Sequence, residues 1–243
     1  MPPTPKPANA SAETTEKLGK TMFYDTTRRD HGMAVDPLTA LIVPRPIGWI
    51  STVDGQGRVN LAPYSFYNAV SGSPPMVYFS TTGTYGNNPT KHSRRNAEET
   101  GEFVCNMATY DLREVVNASS TEWGPAVSEP ERIGLEMAPC REVKPPRVAR
   151  SPVVLECKYF KTVELVSSDG TLNASSVVIG EVIGVHIDDS VIVNGLVDVT
   201  RVQPLARLGY MDFCAVNELF AIQRPAAPDA EVSAEQAPPA KVG

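Results

Sequence analysis

Long apolar runs and a surplus of basic residues are both missing from this 243-residue sequence. No apolar run approaches the roughly 20 residues that a membrane-spanning helix needs, so we expect no membrane partner. The net charge of −6 and the isoelectric point near 5.2 argue against a nucleic-acid partner, because that would need a basic face. The stretch 1–17 lacks the apolar region of a secretion signal, which predicts a cytoplasmic protein.

Cysteine and histidine are scarce and scattered. The four cysteines form no C-x-x-C pair, and the three histidines show no zinc-ligand spacing, so we expect reduced thiols and no metal site. There is no serine nucleophile in a G-x-S-x-G setting either. The side chains therefore offer little unaided chemistry, which favours a bound organic cofactor.

Composition divides the chain into one folded domain and two tails. Residues 1–21 and 224–243 are rich in proline and alanine, and we predict that both tails are disordered. Residues 22–223 remain as a single domain. With 42% hydrophobic residues, the chain can form a sizeable core.

The stretch 44–80 is the centre of the domain. Ile47–Val53 and Val59–Ala62 are apolar runs separated by Asp54-Gly55-Gln56-Gly57, which predicts a β-hairpin. Asn60–Asn68 alternates amides, hydroxyls and aromatics and is predicted as an irregular polar loop, of the kind that holds a flat ring beside a polar tail. A third strand is predicted at Met76–Ser80.

The remaining pattern predicts more strands than helices. Helices are predicted at Pro89–Thr100 and Tyr110–Ala118, and strands at Glu102–Met107, Val153–Leu165 and Ser175–Asp188. Thr121–Pro152 has no clear period and is predicted as a long excursion with one short helix near Glu129–Leu135. An excursion of that length is a candidate lid over a substrate. Hairpin-like connections favour an antiparallel barrel over a parallel sheet.

Several motifs resemble those of one family. The chain is similar to the flavin reductase-like family of FMN-binding split barrels in four segments, in family order: Pro44-Arg45-Pro46-Ile47-Gly48-Trp49-Ile50-Ser51-Thr52, Asn60-Leu61-Ala62-Pro63-Tyr64-Ser65-Phe66, Ser73-Pro74-Pro75, and Gly101-Glu102-Phe103-Val104-Cys105-Asn106. The resemblance covers roughly residues 22–223. It implies a mainly β fold, an antiparallel split β-barrel of Greek-key type with a few covering helices.

The resemblance also implies an activity. We expect an FMN-dependent oxidoreductase in which NADH or NADPH reduces the flavin, or through it a small acceptor such as a nitroaromatic acid. Gly55-Gln56-Gly57 lies in a hairpin turn, so the nicotinamide cofactor would bind without a dinucleotide motif. Two alternatives stay open: an FMN-bound oxygenase that modifies an aromatic substrate, and a flavin-binding electron-transfer protein without turnover.

Seven residues are candidates for binding FMN. Ser51 and Thr52 close the first strand of the hairpin, where a hydroxyl could face the ligand. By resemblance, Asn60, Ala62 and Ser65 lie in the segment that wraps the flavin. Lys91 and Ser93 match a family Lys-Asp-Thr triplet that meets the phosphate, with His92 in place of the usual acid.

Two further residues are candidates for catalysis. Arg45, between two prolines, could approach the phosphate, balance the charge of the reduced flavin, or pair with an acid across a subunit boundary. His186 matches a histidine often found near this point in the family and could reach the ring face. Phe66 and Tyr67 are predicted to belong to the core.

The resemblance implies a homodimer with FMN near the subunit interface. Aromatic residues are enriched at interfaces, and the region of the predicted pocket has more of them than one small core needs: Trp49, Tyr64, Phe66, Tyr85 and Trp123. A partner monooxygenase that receives reduced flavin is a further expectation.

Overall fold

The computed structural model describes residues 21–82, 90–124, 126–223 and 225. The two predicted tails lie almost wholly outside these residues, as do Tyr85 and Pro89. Within the described residues the helices are α1 (Leu38–Leu41), α2 (His92–Thr100), α3 (Arg113–Ala118), α4 (Glu129–Ile133) and α5 (Val199–Val202), with short 3-10 turns at Tyr110–Leu112 and Asp189–Val191. None of these helices is long and apolar enough to cross a membrane.

Antiparallel strands are the commonest regular element of the described chain. They are β1 (Arg45–Pro46), β2 (Gly48–Val53), β3 (Val59–Tyr64), β4 (Tyr67–Gly72), β5 (Pro75–Thr81), β6 (Glu102–Met107), β7 (Met137–Ala138), β8 (Arg147–Val148), β9 (Val153–Val166), β10 (Leu172–Ile187), β11 (Ile192–Val193), β12 (Leu196–Val197), β13 (Leu205–Arg207) and β14 (Phe213–Ala215). The largest sheet has the order β3-β2-β6-β9-β10-β5-β4. A three-stranded sheet, β1-β13-β14, lies beside it.

The large sheet curls into a barrel because its two edge strands, β3 and β4, are consecutive in the chain. Only Ser65 and Phe66 join them, and the amide of Ser80 donates to the carbonyl oxygen of Phe66 at 2.8 Å. The rings of Tyr64 and Phe79 also meet across this seam, with centroids 5.0 Å apart. The predicted mainly β, antiparallel barrel fold is confirmed.

The region that the sequence predicts as an irregular loop is mostly strand. Asn60 to Tyr64 belongs to β3, and Tyr67 and Asn68 begin β4, so the loop shrinks to Ser65 and Phe66. Tyr64 and Tyr67 pack into the barrel from the two strands at this seam, and Phe66 between them stays exposed. The polar and aromatic alternation therefore reflects two faces of a strand.

Two apolar clusters lie on opposite faces of β2. Ile50 packs with Phe79, Phe103 and Val178 inside the barrel. Trp49 packs outside it with residues of α3, β8 and β13. Trp49 is fully buried, so it is a core residue and not one of the exposed interface aromatics that the sequence predicts.

The described part of the excursion 121–152 has few regular elements and is hydrogen-bonded to the barrel. It contains α4 and the pair β7–β8. Asn106 Oδ1 accepts from the amide of Val148 at 2.7 Å, and Ser51 Oγ donates to the carbonyl oxygen of Pro146 at 2.6 Å. A lid role stays a prediction, and residues 140–148 are fastened rather than hinged.

Gly180 gives a stability prediction. A Cβ there would overlap the ring of Phe103 and lie 2.9 Å from the carbonyl oxygen of Lys158. We therefore expect Gly180→Ala to lower the free energy of unfolding by about 1–3 kcal/mol, the usual cost of overpacking a core. In the matched control Gly184→Ala, on the same strand, the nearest atom lies at 3.5 Å, which is ordinary contact. Urea unfolding measures both, and equal stabilities of the two variants would contradict the packing described here.

Candidate functional site

Two neighbouring cavities lie along β3. The smaller has a volume of about 130 Å³ and the larger about 580 Å³. Pro63 of β3 and Ser120, just after α3, line both. The two cavities therefore share part of their walls.

The smaller cavity gathers hydrogen-bond donors at the N-terminus of α2. Asn60, Lys91 and Ser93 line it, and Asn60 Nδ2 donates to Ser93 Oγ at 2.8 Å. Lys91 is the residue immediately before α2, so its ammonium adds to the positive end of the helix dipole. This is the arrangement in which helix N-termini bind phosphate. Three predicted cofactor ligands are thus brought together, and Ala62 also lines this cavity.

Two carboxylates share the smaller cavity with these donors. Glu122 Oε1 lies 2.8 Å from Lys91 Nζ, and Glu122 is exposed. Glu129 is buried, and its Oε2 accepts from the amide of Leu61 at 3.0 Å. Burial raises the pKa of Glu129, although the Leu61 amide works against that shift. Burial likewise raises the pKa of Tyr64, another wall residue, to about 12.

The larger cavity combines aromatic and cationic walls. It is lined by Tyr110, Arg113, Arg207 and Phe213, and the two remaining predicted residues in this region, Arg45 and Ser65, lie there too. Phe66 faces the same space with 39% of its surface exposed, so the prediction that it is a core residue is wrong. Tyr67 is half-buried and packs against the inner cluster of the barrel.

Arg45 is held by backbone oxygens. Its guanidinium donates to the carbonyl oxygens of Thr39, Ile42 at 2.7 Å and Leu208 at 2.9 Å, and its Cζ lies 5.7 Å from the centre of the Phe66 ring. Arg45 therefore fastens α1 to β13 as well as lining the cavity. Its Nε is buried and has no hydrogen-bond partner among the described residues.

Ser51 and Thr52 line neither cavity and support the site from behind. Both are fully buried. Asn106 Nδ2 donates to Ser51 Oγ at 3.1 Å, and Asn96 Nδ2 donates to Thr52 Oγ1 at 3.1 Å. Their hydroxyls are thus bonded inside the protein, and Thr52 docks α2 on β2. A role for either residue in binding the cofactor stays a prediction.

His186 lies away from both cavities, beside Glu156 and Cys140. His186 Nε2 is 2.5 Å from Glu156 Oε1. The imidazole, carboxylate and thiol atoms of the three residues that could bind a metal ion lie within 4.8 Å of one another. The sequence spacing did not predict this grouping. The Glu156 oxygens also accept from three backbone amides, at Arg141, Glu142 and Val143. We therefore assign the cluster to fastening the excursion, and a catalytic role for His186 stays a prediction.

Sequence reasoning missed Glu129, Arg113 and Arg207 as cavity residues. The sequence predicts Glu129 as part of a short helix in a candidate lid, and the two arginines belong to segments with no motif. Arg207 pairs directly with Arg45 in the β1–β13 ladder. Two arginines paired across neighbouring strands would indicate an anion site, but this pairing is known only from the structure.

The barrel and its two cavities define a class, the antiparallel β-barrels with a ligand-sized cavity beside an edge strand, and comparison with known proteins identifies the family. The sequence model of the Flavin reductase like domain matches residues 40–204. This chain belongs to the flavin reductase-like family.

One relative and two solved structures are similar to this chain over most of its length. An uncharacterized protein of Aquifex aeolicus is 34% identical over 170 residues, which cover 70% of this chain and 83% of the relative. Nitrilotriacetate monooxygenase component B from Bacillus cereus shares the fold with a TM-score of 0.76 at 24% identity, over 84% of this chain and all of that one. The 2-nitrobenzoate 2-nitroreductase NbaA of Pseudomonas fluorescens has a TM-score of 0.65 at 26% identity, over 81% and 91% of the two chains.

Glu156 gives a prediction for stability against pH. Burial works to raise its pKa, but the amides of Arg141 and Glu142 and the ring of His186 outweigh burial and hold the pKa below its usual value. A carboxylate with a lowered pKa stabilises the fold fully above its unfolded pKa of about 4.3, and that contribution is lost as the pH falls through the folded value. We expect Glu156→Gln to cost about 2–4 kcal/mol at pH 7, because the buried amides lose a charged acceptor.

Thermal unfolding between pH 3 and pH 7 checks this. The difference in Tm between wild type and Glu156→Gln should become smaller as the pH falls toward 3. The control Glu181→Gln, at an exposed position on β10, should track wild type throughout. A gap that does not change with pH would mean that the charge of Glu156 contributes nothing.

Proposed function

We propose that this chain binds FMN and acts as an oxidoreductase in which NADH or NADPH reduces the flavin, or through it a small acceptor. The observation that carries the proposal is the set of donors at the start of α2, next to a second cavity with aromatic walls. Membership of the flavin reductase-like family supports a flavin as the ligand.

The donor set fits a phosphate at the smaller cavity. Lys91, Ser93 and Asn60 offer an ammonium, a hydroxyl and an amide, and the first turn of α2 adds oriented backbone N–H groups. Charge-assisted bonds to phosphate are about twice as strong as neutral ones. On phosphate binding, Lys91 would exchange its exposed partner Glu122 for the ligand.

Glu129 suits the sugar-alcohol chain of FMN better than the phosphate. A buried carboxylate next to a phosphate would repel it, whereas a carboxyl group can accept bonds from hydroxyls or, when protonated, donate one. The raised pKa of Glu129 favours the protonated form more than in solution. We therefore place the ribityl chain between the phosphate donors and Pro63.

The larger cavity would hold the flavin ring and its reaction partner. FMN supplies the chemistry, since its ring accepts a hydride from a nicotinamide and passes electrons onward. The protein would position the ring with Pro63, Ser65 and Phe66 and exclude water with the aromatic walls. The cavity is within the range of about 300–1,000 Å³ that small-ligand pockets occupy.

We propose two electron acceptors for the reduced flavin. The likeness to a monooxygenase component B supports a partner monooxygenase that takes reduced flavin, and the likeness to a 2-nitrobenzoate nitroreductase supports a small nitroaromatic acceptor.

We also propose a homodimer with FMN near its interface. Phe66 remains exposed for that role, and Trp123 and Tyr64 are half-buried.

Lys91 tests the cofactor. Lys91→Ala should weaken FMN binding roughly ten- to a hundredfold, because a charge-assisted hydrogen bond is lost. Riboflavin, which has no phosphate, should bind both proteins alike. Quenching of flavin fluorescence measures the affinities, with Lys161→Ala at an exposed position of β9 as the control. If Lys91→Ala weakened the binding of FMN and of riboflavin equally, the proposal that the smaller cavity binds the phosphate would be wrong.

The activity is tested by NADH and NADPH oxidation by the purified protein with and without added FMN. Turnover that follows added FMN indicates a flavin reductase for a partner enzyme. Turnover with bound FMN only when 2-nitrobenzoate is present indicates direct reduction of an acceptor. Absence of turnover with either nucleotide, in protein that carries FMN, would overturn the oxidoreductase proposal and favour an electron-transfer protein.

A further inference from the structure

The walls of the larger cavity carry an excess of positive charge. Arg45, Arg113 and Arg207 line it, and Glu114 is the one acidic residue among the described residues that do so. The chain as a whole has a net charge of −6, so this concentration of cations runs against the overall composition. A cavity of one sign in a protein of the other sign attracts ligands of the opposite charge.

Two of these cations face each other. Arg45 and Arg207 are direct partners in the antiparallel pair β1–β13. Burial lowers the pKa of Arg45, and the charge of Arg207 lowers it further. Within the described ranges, neither arginine forms an ion pair with a carboxylate. Like charges directly opposite each other destabilise a sheet, so the arrangement costs stability unless an anion binds there.

Arg113 and Arg207 are each stacked on an aromatic wall. The Cζ of Arg113 lies 4.1 Å from the centre of the Tyr110 ring, and that of Arg207 lies 4.4 Å from the Phe213 ring. Each guanidinium also donates to a backbone carbonyl, that of Tyr110 and that of Tyr210 respectively. Arg113 Nε is 3.6 Å from Glu114, whose side chain is 84% exposed. Stacking orients the planar forks and leaves most of their five N–H donors for a ligand.

We propose that the larger cavity is an anion subsite in which Arg113 and Arg207 bind the carboxylate or phosphate of a planar substrate. That this ligand is a substrate of the bound flavin rests on the proposed function. The shared chemistry has two sources: the carboxylate of an aromatic acceptor and the phosphates of the nicotinamide donor. Bidentate arginine contacts suit both groups.

The experiment compares charged probes with neutral ones on the FMN-saturated protein. Calorimetry with benzoate and benzamide tests the carboxylate, and the KM for NADH against that for the phosphate-free donor 1-benzyl-1,4-dihydronicotinamide tests the phosphate. In one of these two pairs of probes, Arg113→Gln and Arg207→Gln should each weaken binding of the charged probe roughly ten- to a hundredfold. Binding of the neutral probe in the same pair should not change. Arg201→Gln, at an exposed position on α5, is the matched control.

The pair of probes that responds identifies the source of the anion. Relative to Arg207→Gln, Arg207→Lys should restore part of the affinity for the charged probe, because it restores the positive charge. Unchanged affinity for both charged probes, in variants that still bind FMN, overturns the proposal. A loss of FMN affinity in these variants assigns the arginines to the flavin and overturns it as well. If wild type binds no FMN, the proposed function fails, and benzoate against benzamide still tests the anion subsite.

Discussion

The candidate site depends on how α2 is held against the barrel. Asn96 on the buried side of α2 donates to Thr52 of β2 at 3.1 Å, and Asn60 of β3 donates to Ser93 in the first turn of α2 at 2.8 Å. These two bonds fix the direction of the helix axis, and hence where its positive end lies. They also bring Asn60 and Ser93 together beside Lys91, so the donors around the smaller cavity converge.

The second constraint is the closure of the barrel. The two-residue link between β3 and β4 forces the sheet to curl, which places Pro63 at the boundary of both cavities. On the outside, Trp49 Nε1 donates to Ser119 Oγ at 2.8 Å, and this bond fixes the end of α3, whose neighbour Ser120 lines both cavities as well. The same core that stabilises the barrel therefore positions the walls of the site.

Local pattern was sufficient for most of the fold. The hairpin of β2 and β3, α2 with Gly101 in the left-handed conformation (φ 74°) at its end, and the two long strands β9 and β10 all follow from period and turn residues. The segment Asn60–Asn68 differs from its prediction as an irregular loop, because Asn60 and Ser65 line cavities while most of the backbone stays in the sheet. Polar side chains therefore do not by themselves indicate irregular backbone there.

The sequence predicts only part of the site, because some of its residues are far apart along the chain. Asn60, Lys91 and Ser93 belong to motifs, and the structure brings them together. Arg113 and Arg207 are far apart in sequence and meet through the three-stranded sheet and the 3-10 turn before α3, which no local pattern encodes. Ser51 and Thr52 show the converse, since the same hydroxyl pattern fits a ligand contact or an internal hydrogen bond and only packing decides between them.

The central claim is that a flavin phosphate binds at the start of α2, and a crystal structure of the protein with FMN tests it most directly. The account predicts the phosphate within hydrogen-bond distance of Lys91 Nζ, Ser93 Oγ and Asn60 Nδ2, with the ring extending past Pro63 into the larger cavity. A phosphate bound by Arg113 and Arg207 instead, or a flavin on another face of the barrel, would contradict it.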